Sequence, residues 1–421
     1  MRVLFLITNI GFKKDAPYVG CGWVDSLINK VVQIDLVEVG VSFFSEEVRK
    51  LTKFDDKITP VQYVIPSYVN KWDKVCRNLK LTDYLFEERK ALVLDVIKQF
   101  QPDLIHVFGT ETPFGLLAKD INIPVLIHVQ GILNPYVVKW FPAGYGVRDL
   151  IRSTSFIKLA FLSGYLGDYF RYLNLARREK SIFMMVEHYT GRTDWDRRLV
   201  RMMSGSSNYY HCDEVLRPLF YERLWAKKEP TDVYEIISVV NPNTYKGIET
   251  IIETVVLLQS FTRKKIVWTV AGVSPKSDVL KMFLRKSGVV LSNLNIKFEG
   301  PVPETLLIEM LVRSDLFVHP SHIDNSPNSV CEAMLIGMPI ISTNVGGIQS
   351  LLTNEVEGIL VQDGEPYGMA SAVFHLMEEP EKARTLGNAA RRRAIVRHNP
   401  DKIAERTFEI YREVLSRHRQ S

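Results

Sequence analysis

The sequence predicts an α/β protein of two doubly wound domains, each a parallel sheet wrapped by helices. Three observations carry that expectation. Short β-branched apolar runs alternate with helical patterns along nearly the whole chain, which parallel sheets covered on both faces require. The rhythm restarts after a polar stretch at 221–231, where Pro230 is the punctuation. A length of 421 residues also exceeds one ordinary core and suits two domains of roughly 200 residues.

In the first half, Val3–Thr8 reads as a strand, Trp23–Val32 as a helix, and Ile34–Val39 and Val61–Ile65 as strands. Asp83–Phe100 is the clearest helix, with Val93, Val96, Ile97 and Phe100 on one face and Pro102 as a stop. Strand Leu104–Phe108, a helix near Pro113–Lys119 and strand Pro124–Val129 follow. The second half runs through strand Tyr234–Val240, helix Ile248–Gln259, strand Ile266–Ala271, helix Asp278–Ser287 and strand Ile296–Glu299. Helix Glu304–Val312, strand Asp315–His319, helix Ser329–Ile336 and strand Pro339–Ser342 complete it. We therefore expect domains at 1–221 and 232–400, with 401–421 a helix returning towards the first domain. Ligands of such sheets lie beyond the carboxyl ends of the strands, so the cleft between the domains is the expected site.

Composition narrows the function. Hydrophobic residues at 46% and charged residues at 24% are ordinary for a globular protein. A net charge of +5, from 53 basic and 48 acidic residues, gives no reason to expect a nucleic-acid partner. Cys21, Cys76, Cys212 and Cys331 form no C-x-x-C pair, which argues against a zinc site or a disulfide framework. The apolar start reads as a first strand rather than a signal peptide, and a cytoplasmic protein is expected. Lys139–Ser181 stands apart, with eight basic residues against three acidic ones and many aromatics between them. Such a segment either lies on an anionic membrane surface or forms ordinary helices packed on the first domain.

The most informative run is 314–342, SDLFVHPSHIDNSPNSVCEAMLIGMPIIS. An apolar strand ends at His319-Pro320, a polar loop carries Asp324, and a helix opening near Asn328-Ser329 carries Glu332, with seven residues between the two carboxylates. A helix N-terminus after a strand and loop is an anion site, because its first amides are unpaired and the dipole is positive there. A diphosphate on it would leave Glu332 near a ribose, where a carboxylate can accept from two hydroxyls. Ser329-Val-Cys-Glu332 also reads as a capping box.

This run resembles glycosyltransferase family four, the retaining family with the GT-B fold of two Rossmann-like domains. Its hallmark is an acidic residue, seven residues, a Glu and an Ala-Met-x-x-Gly-x-Pro tail, here Glu332-Ala333-Met334-Leu335-Ile336-Gly337-Met338-Pro339. Asp324 stands where Glu is usual, one methylene shorter. The resemblance implies that Asp324 orients the donor sugar and Glu332 holds the ribose. The run Asn325, Ser326, Pro327, Asn328, Ser329 and Val330 would then face the sugar and diphosphate.

Asn241-Pro-Asn-Thr-Tyr-Lys246-Gly247 resembles a family loop whose Arg and Lys neutralise the diphosphate. Lys246 keeps the lysine, and Asn241 replaces the arginine. Gly22, after Gly20-Cys21, and the pair Gly346-Gly347 resemble the family's two glycine loops. Gln130 stands where relatives often carry His, with His128 two residues back in the strand. Glu111, Arg192 and His128 are candidates for acceptor or phosphate contacts, with His128 otherwise a core histidine. Asp194-Trp195-Asp196 matches a metal motif of another fold, and no metal is expected. The resemblance implies a retaining, metal-independent glycosyltransferase using a nucleotide-sugar, UDP-sugar before GDP-sugar. A saccharide or lipid-linked saccharide would be the acceptor, in polysaccharide biosynthesis, with the protein cytoplasmic or peripheral on the inner membrane face. The alternatives are a GT-B-fold epimerase and a non-catalytic nucleotide-sugar-binding subunit.

Overall fold

A computed structural model describes residues 1–7, 22–46, 48–54, 60–67, 82–160, 164–226 and 232–420. The first sheet contains β1 (Arg2–Leu6), β2 (Glu38–Ser45), β3 (Thr52–Phe54), β4 (Val61–Pro66), β5 (Leu104–Phe108), β6 (Val125–His128), β7 (His188–Gly191) and β8 (Asn208–His211). Their order is β3-β4-β2-β1-β5-β6-β7-β8, parallel throughout except for antiparallel β3–β4. The second contains β9 (Val233–Val239), β10 (Lys265–Ala271), β11 (Ile296–Glu299), β12 (Leu316–His319), β13 (Ile340–Thr343) and β14 (Ile359–Val361). Its order, β11-β10-β9-β12-β13-β14, is parallel throughout. That is the doubly wound 3-2-1-4-5-6 order, so β9 and β12 flank the point where the winding reverses.

Each sheet is apolar on both faces because helices cover both. Leu4, Leu6, Ile105, Val107 and Ile127 pack with Val93, Val96, Ile97 and Phe100 of the Thr82–Phe100 helix. On the opposite face Val3, Phe5 and Phe108 meet Trp23, Leu27 and Ile28 of the Gly22–Val31 helix. Ile403, Ile410, Tyr411 and Val414 of the terminal helix Pro400–His418 join that same core. Tyr411 OH lies 2.8 Å from His106 Nδ1, and Lys30 pairs with Asp401 at 2.8 Å.

Two expectations are corrected. The strand expected at Ile34–Val39 is β2, beginning at Glu38, because Ile34 to Val37 form a turn that leaves Leu36 65% exposed. The basic, aromatic segment does not simply pack on the first domain; it bridges the two. Leu150 and Leu166 join the second domain's core, Lys158 pairs with Asp278 at 2.5 Å, and Lys286 pairs with Asp149 at 3.1 Å. Its aromatics point the same way: Trp140 is 1% exposed and lies 5.5 Å from the Tyr245 ring. No described helix is long and apolar enough to cross a membrane.

Candidate functional site

The loops after β9 and β12 converge at the winding reversal. Gly247, at φ +70°, has its α-carbon so close to the Pro320 carbonyl that no side chain fits, and this brings Lys246 across to Asp324. Lys246 Nζ lies 2.5 Å from Asp324 Oδ2, and His319 Nε2, at the end of β12, lies 3.2 Å from the same oxygen. Burial alone would raise the Asp324 carboxyl, but Lys246 and His319 beside it hold it well below the usual carboxylate range. Asp324 is thus a fixed anion over ordinary pH. A third loop supports it: Gly346, at φ +51°, sits against the Asp324 backbone, and Gly347 N donates to the Asp324 carbonyl at 3.0 Å.

The first domain closes on this loop. Tyr136 OH donates to Asp324 Oδ1 at 3.3 Å, from a helix, Leu133–Val138, whose start is tied down by Glu179. Glu179 accepts from Leu133 N at 2.9 Å, Asn134 N at 3.0 Å, Asn134 Nδ2 at 2.7 Å and Thr110 Oγ1 at 2.5 Å. Asn325 Nδ2 donates to Asp196 Oδ2 at 2.9 Å and to the Gln130 carbonyl at 3.3 Å, and its Oδ1 accepts from Thr193 Oγ1 at 2.6 Å. Ser326 Oγ donates to Glu214 Oε1 at 2.5 Å. The open crevice expected from the sequence is therefore shut at this point, with Asp324 only 7% exposed.

The helix Asn328–Ile336 starts at Pro327 without a side-chain cap. Val330 N and Cys331 N bond the Pro327 carbonyl, and Asn328 Oδ1 is buried without a partner. The capping-box expectation fails. Glu332 is the fifth helical residue, not in the first turn, and its carboxylate faces Arg217 instead of the Ser329 amide. Arg217 Nε and Nη2 donate to Glu332 Oε1 and Oε2 at 2.7 and 2.8 Å, a bidentate pair buried on both sides.

The other sequence candidates divide. Asn241 is exposed in the turn after β9, its carbonyl accepting from Asn243 N, so it supplies no charge. Gly22 opens the Gly22–Val31 helix; Gly20 and Cys21, which precede it, lie outside the described residues. Gln130 contributes through its carbonyl, which accepts from Arg192 Nη2 at 2.9 Å as well as from Asn325. Arg192 is 3% exposed and sits 5.0 Å over the Trp23 ring. His128, 1% exposed, stacks on Phe108 and meets the Trp23 ring at a tilt, so it is placed as a core ring. Burial pushes the Glu111 carboxyl up to about 7, at the tip of β5. Asp196 of the Asp-Trp-Asp run caps its own helix, accepting from Arg192 N and Thr193 N, with Tyr209 OH also upon it.

Tyr136, His319, Thr193, Glu214 and Arg217 were not singled out from the sequence. Only His319 carried a signal, its place at the carboxyl end of a strand beside the winding reversal. Glu214, Cys331 and His398 bring possible metal-ligating atoms within 4.8 Å of one another. Arg397 Nη2 lies 3.9 Å from Glu214 Oε2, so a guanidinium already offsets that carboxylate.

Residues 222–393 match the family described as Glycosyl transferases group 1. This stretch is a group 1 glycosyltransferase domain. It holds Lys246, Asp324, Glu332 and both glycines of the Gly346-Gly347 loop, so the second-domain half of the site lies wholly within it. Among curated relatives, glycogen synthase of Mycobacterium tuberculosis is 27% identical over 186 residues, 44% of this chain and 44% of its own. The chain thus spans less than half the length of that relative. Among solved structures, sucrose-phosphate synthase of Thermosynechococcus elongatus superposes with a TM-score of 0.72 at 17% identity, covering 99% of this chain and 100% of that one. Anabaena HepE in complex with UDP superposes with a TM-score of 0.62 at 17% identity, covering 98% and 100%. The architecture around the group 1 glycosyltransferase domain is the GT-B fold.

Proposed function

We propose that this chain is a retaining glycosyltransferase that moves sugar from a nucleotide-sugar to a saccharide or lipid-linked saccharide. The observation that carries the reading is the Lys246–Asp324 pair at the winding reversal of the second sheet, beside the uncapped start of the Asn328–Ile336 helix. The donor diphosphate would lie on the helix amides and Lys246, Asp324 would accept a donor-sugar hydroxyl, and Glu332 would take the ribose. A UDP-sugar is the favoured donor, supported by the resemblance in fold to the UDP complex.

Transfer would run on the front face. The glycosidic carbon–oxygen bond to the β-phosphate breaks, the acceptor oxygen bonds to the same face, and its proton passes to the departing phosphate oxygen. Lys246 and the helix terminus stabilise the growing negative charge, a part a metal plays elsewhere. The acceptor would meet the first domain near Glu111, Gln130 and Arg192. Donor entry requires the Tyr136, Thr193 and Asp196 contacts to part, which makes domain opening a step of the cycle.

A lipid-linked acceptor would bring the chain to an anionic membrane surface, in polysaccharide biosynthesis. The exposed Val138, Ile151 and Phe156 among basic residues support such a contact; liposomes of anionic lipid that fail to sediment the protein would remove it. The function itself is tested with a panel of UDP- and GDP-sugars and mono- or lipid-linked saccharide acceptors, followed by NMR. Donor consumption with retained anomeric configuration supports the reading. Donor epimerised without acceptor, or bound and left intact, contradicts it.

A further inference from the structure

Glu332 is the carboxylate the proposed function assigns to the ribose, yet both its oxygens already accept hydrogen bonds from Arg217. A bidentate guanidinium takes the inner lone pair of each carboxylate oxygen and leaves one outer lone pair on each. The hydroxyls of a ribose therefore meet Glu332 at the outer positions, in an orientation that Arg217 sets. Arg217 itself has little freedom. Pro218 follows it at the start of helix Pro218–Glu222, its guanidinium lies 4.5 Å over the Phe220 ring, and Nη1 lies 3.7 Å from Glu304 Oε2.

Arg217 reaches the site from outside the sheet. Residues 214–225 run alongside the Asn328–Ile336 helix, from Glu214 at Ser326 and Cys331 to Trp225 N on the Ile336 carbonyl. Leu216 and Phe220 share the core of that helix with Val330, Met334 and Leu335. The connection between domains thus delivers one cation to the second carboxylate, as Lys246 serves the first.

We propose that Arg217 is a positioning residue for nucleotide recognition: its fork holds the Glu332 carboxylate in the orientation by which the enzyme distinguishes a ribonucleotide from its deoxy analogue. This rests on the reading of Glu332 as the ribose ligand. Burial pushes the Glu332 carboxyl above its usual range, and Arg217 opposes that push. Without Arg217 the carboxyl is protonated at higher pH, and it then loses the charge-assisted hydrogen bonds that an ionised carboxylate accepts from hydroxyls.

The test is calorimetric binding of UDP, 2′-deoxy-UDP and 3′-deoxy-UDP to wild type, E332Q, R217A and R217K, across pH 5.5–8.5 (a range of about three units around neutrality). Wild type is expected to prefer UDP over one deoxy analogue by about tenfold, the worth of a charge-assisted hydrogen bond. E332Q should lose that preference at every pH. R217A should lose it at low pH and recover part of it as pH rises, while wild type stays flat. R217K keeps a charge without the fork and should retain an intermediate preference; it carries the test if R217A fails to fold. A preference unchanged in E332Q sinks the ribose reading itself. A preference lost in E332Q but intact and pH-flat in R217A and R217K overturns the role of Arg217 alone.

Discussion

The two domains build their halves of the site in different ways. In the second domain, Lys246 and Asp324 come from the short loops after two adjacent parallel strands and His319 from the end of one of them, and the whole arrangement lies within 79 residues. In the first, Tyr136 reaches the cleft only because Glu179, more than forty residues on, ties down the start of its helix. One half is local and compact in sequence, the other assembled by long-range contacts. Damage to the second should therefore cost chemistry, and damage to the first should cost structure before chemistry.

The largest expected effect is on the local half. Asp324→Asn keeps the shape and removes the charge, and kcat should fall about a thousandfold, as for loss of one transition-state contact. Its circular dichroism should match wild type. Near-normal turnover would remove Asp324 from the chemistry.

On the long-range half, Glu179→Ala leaves Leu133 N, Asn134 N and Thr110 Oγ1 without their buried acceptor. Unfolding free energy should drop by about 3 kcal/mol in urea titration. A variant as stable as wild type would show that Glu179 does not organise this loop.

Glu111 gives a pH test of the same domain. Its carboxyl is raised from 4.5 to about 7, so the folded state holds a proton the unfolded chain has already released. Stability should therefore fall as pH rises from about 4.5 to about 7, by about 3 kcal/mol. Glu111→Gln should flatten that slope, and an unchanged slope would mean the carboxyl is not shielded from water.

The smallest effect is at the bridge. Lys158 pairs with Asp278, but Lys158 is 46% exposed, so Lys158→Ala should cost less than about 1 kcal/mol and the cost should fade with salt. A larger, salt-independent loss would make this contact a principal tie between the domains.

The same contrast explains what could be read from the sequence. Strand–helix alternation marked both sheets because burial on two faces demands apolar runs, and β2 was misplaced only where Ile34 and Leu36 proved to be turn residues. Asp324 and Glu332 stand out because strand, loop and helix start occupy one short stretch, and Lys246 because the loop after β9 resembles a family loop. Arg217 and Tyr136 did not, since neither local spacing nor residue type distinguishes them from any surface arginine or tyrosine. Closure of the cleft was illegible for the same reason, because it depends on pairs such as Thr193 with Asn325, 132 residues apart.

The central claim is that a nucleoside diphosphate settles on the start of the Asn328–Ile336 helix. Hydrogen–deuterium exchange with and without UDP tests it most directly. The account predicts slowed exchange in peptides covering 324–332 and 244–248, with little change across the terminal helix Pro400–His418. UDP that binds and leaves 324–332 unprotected would contradict it.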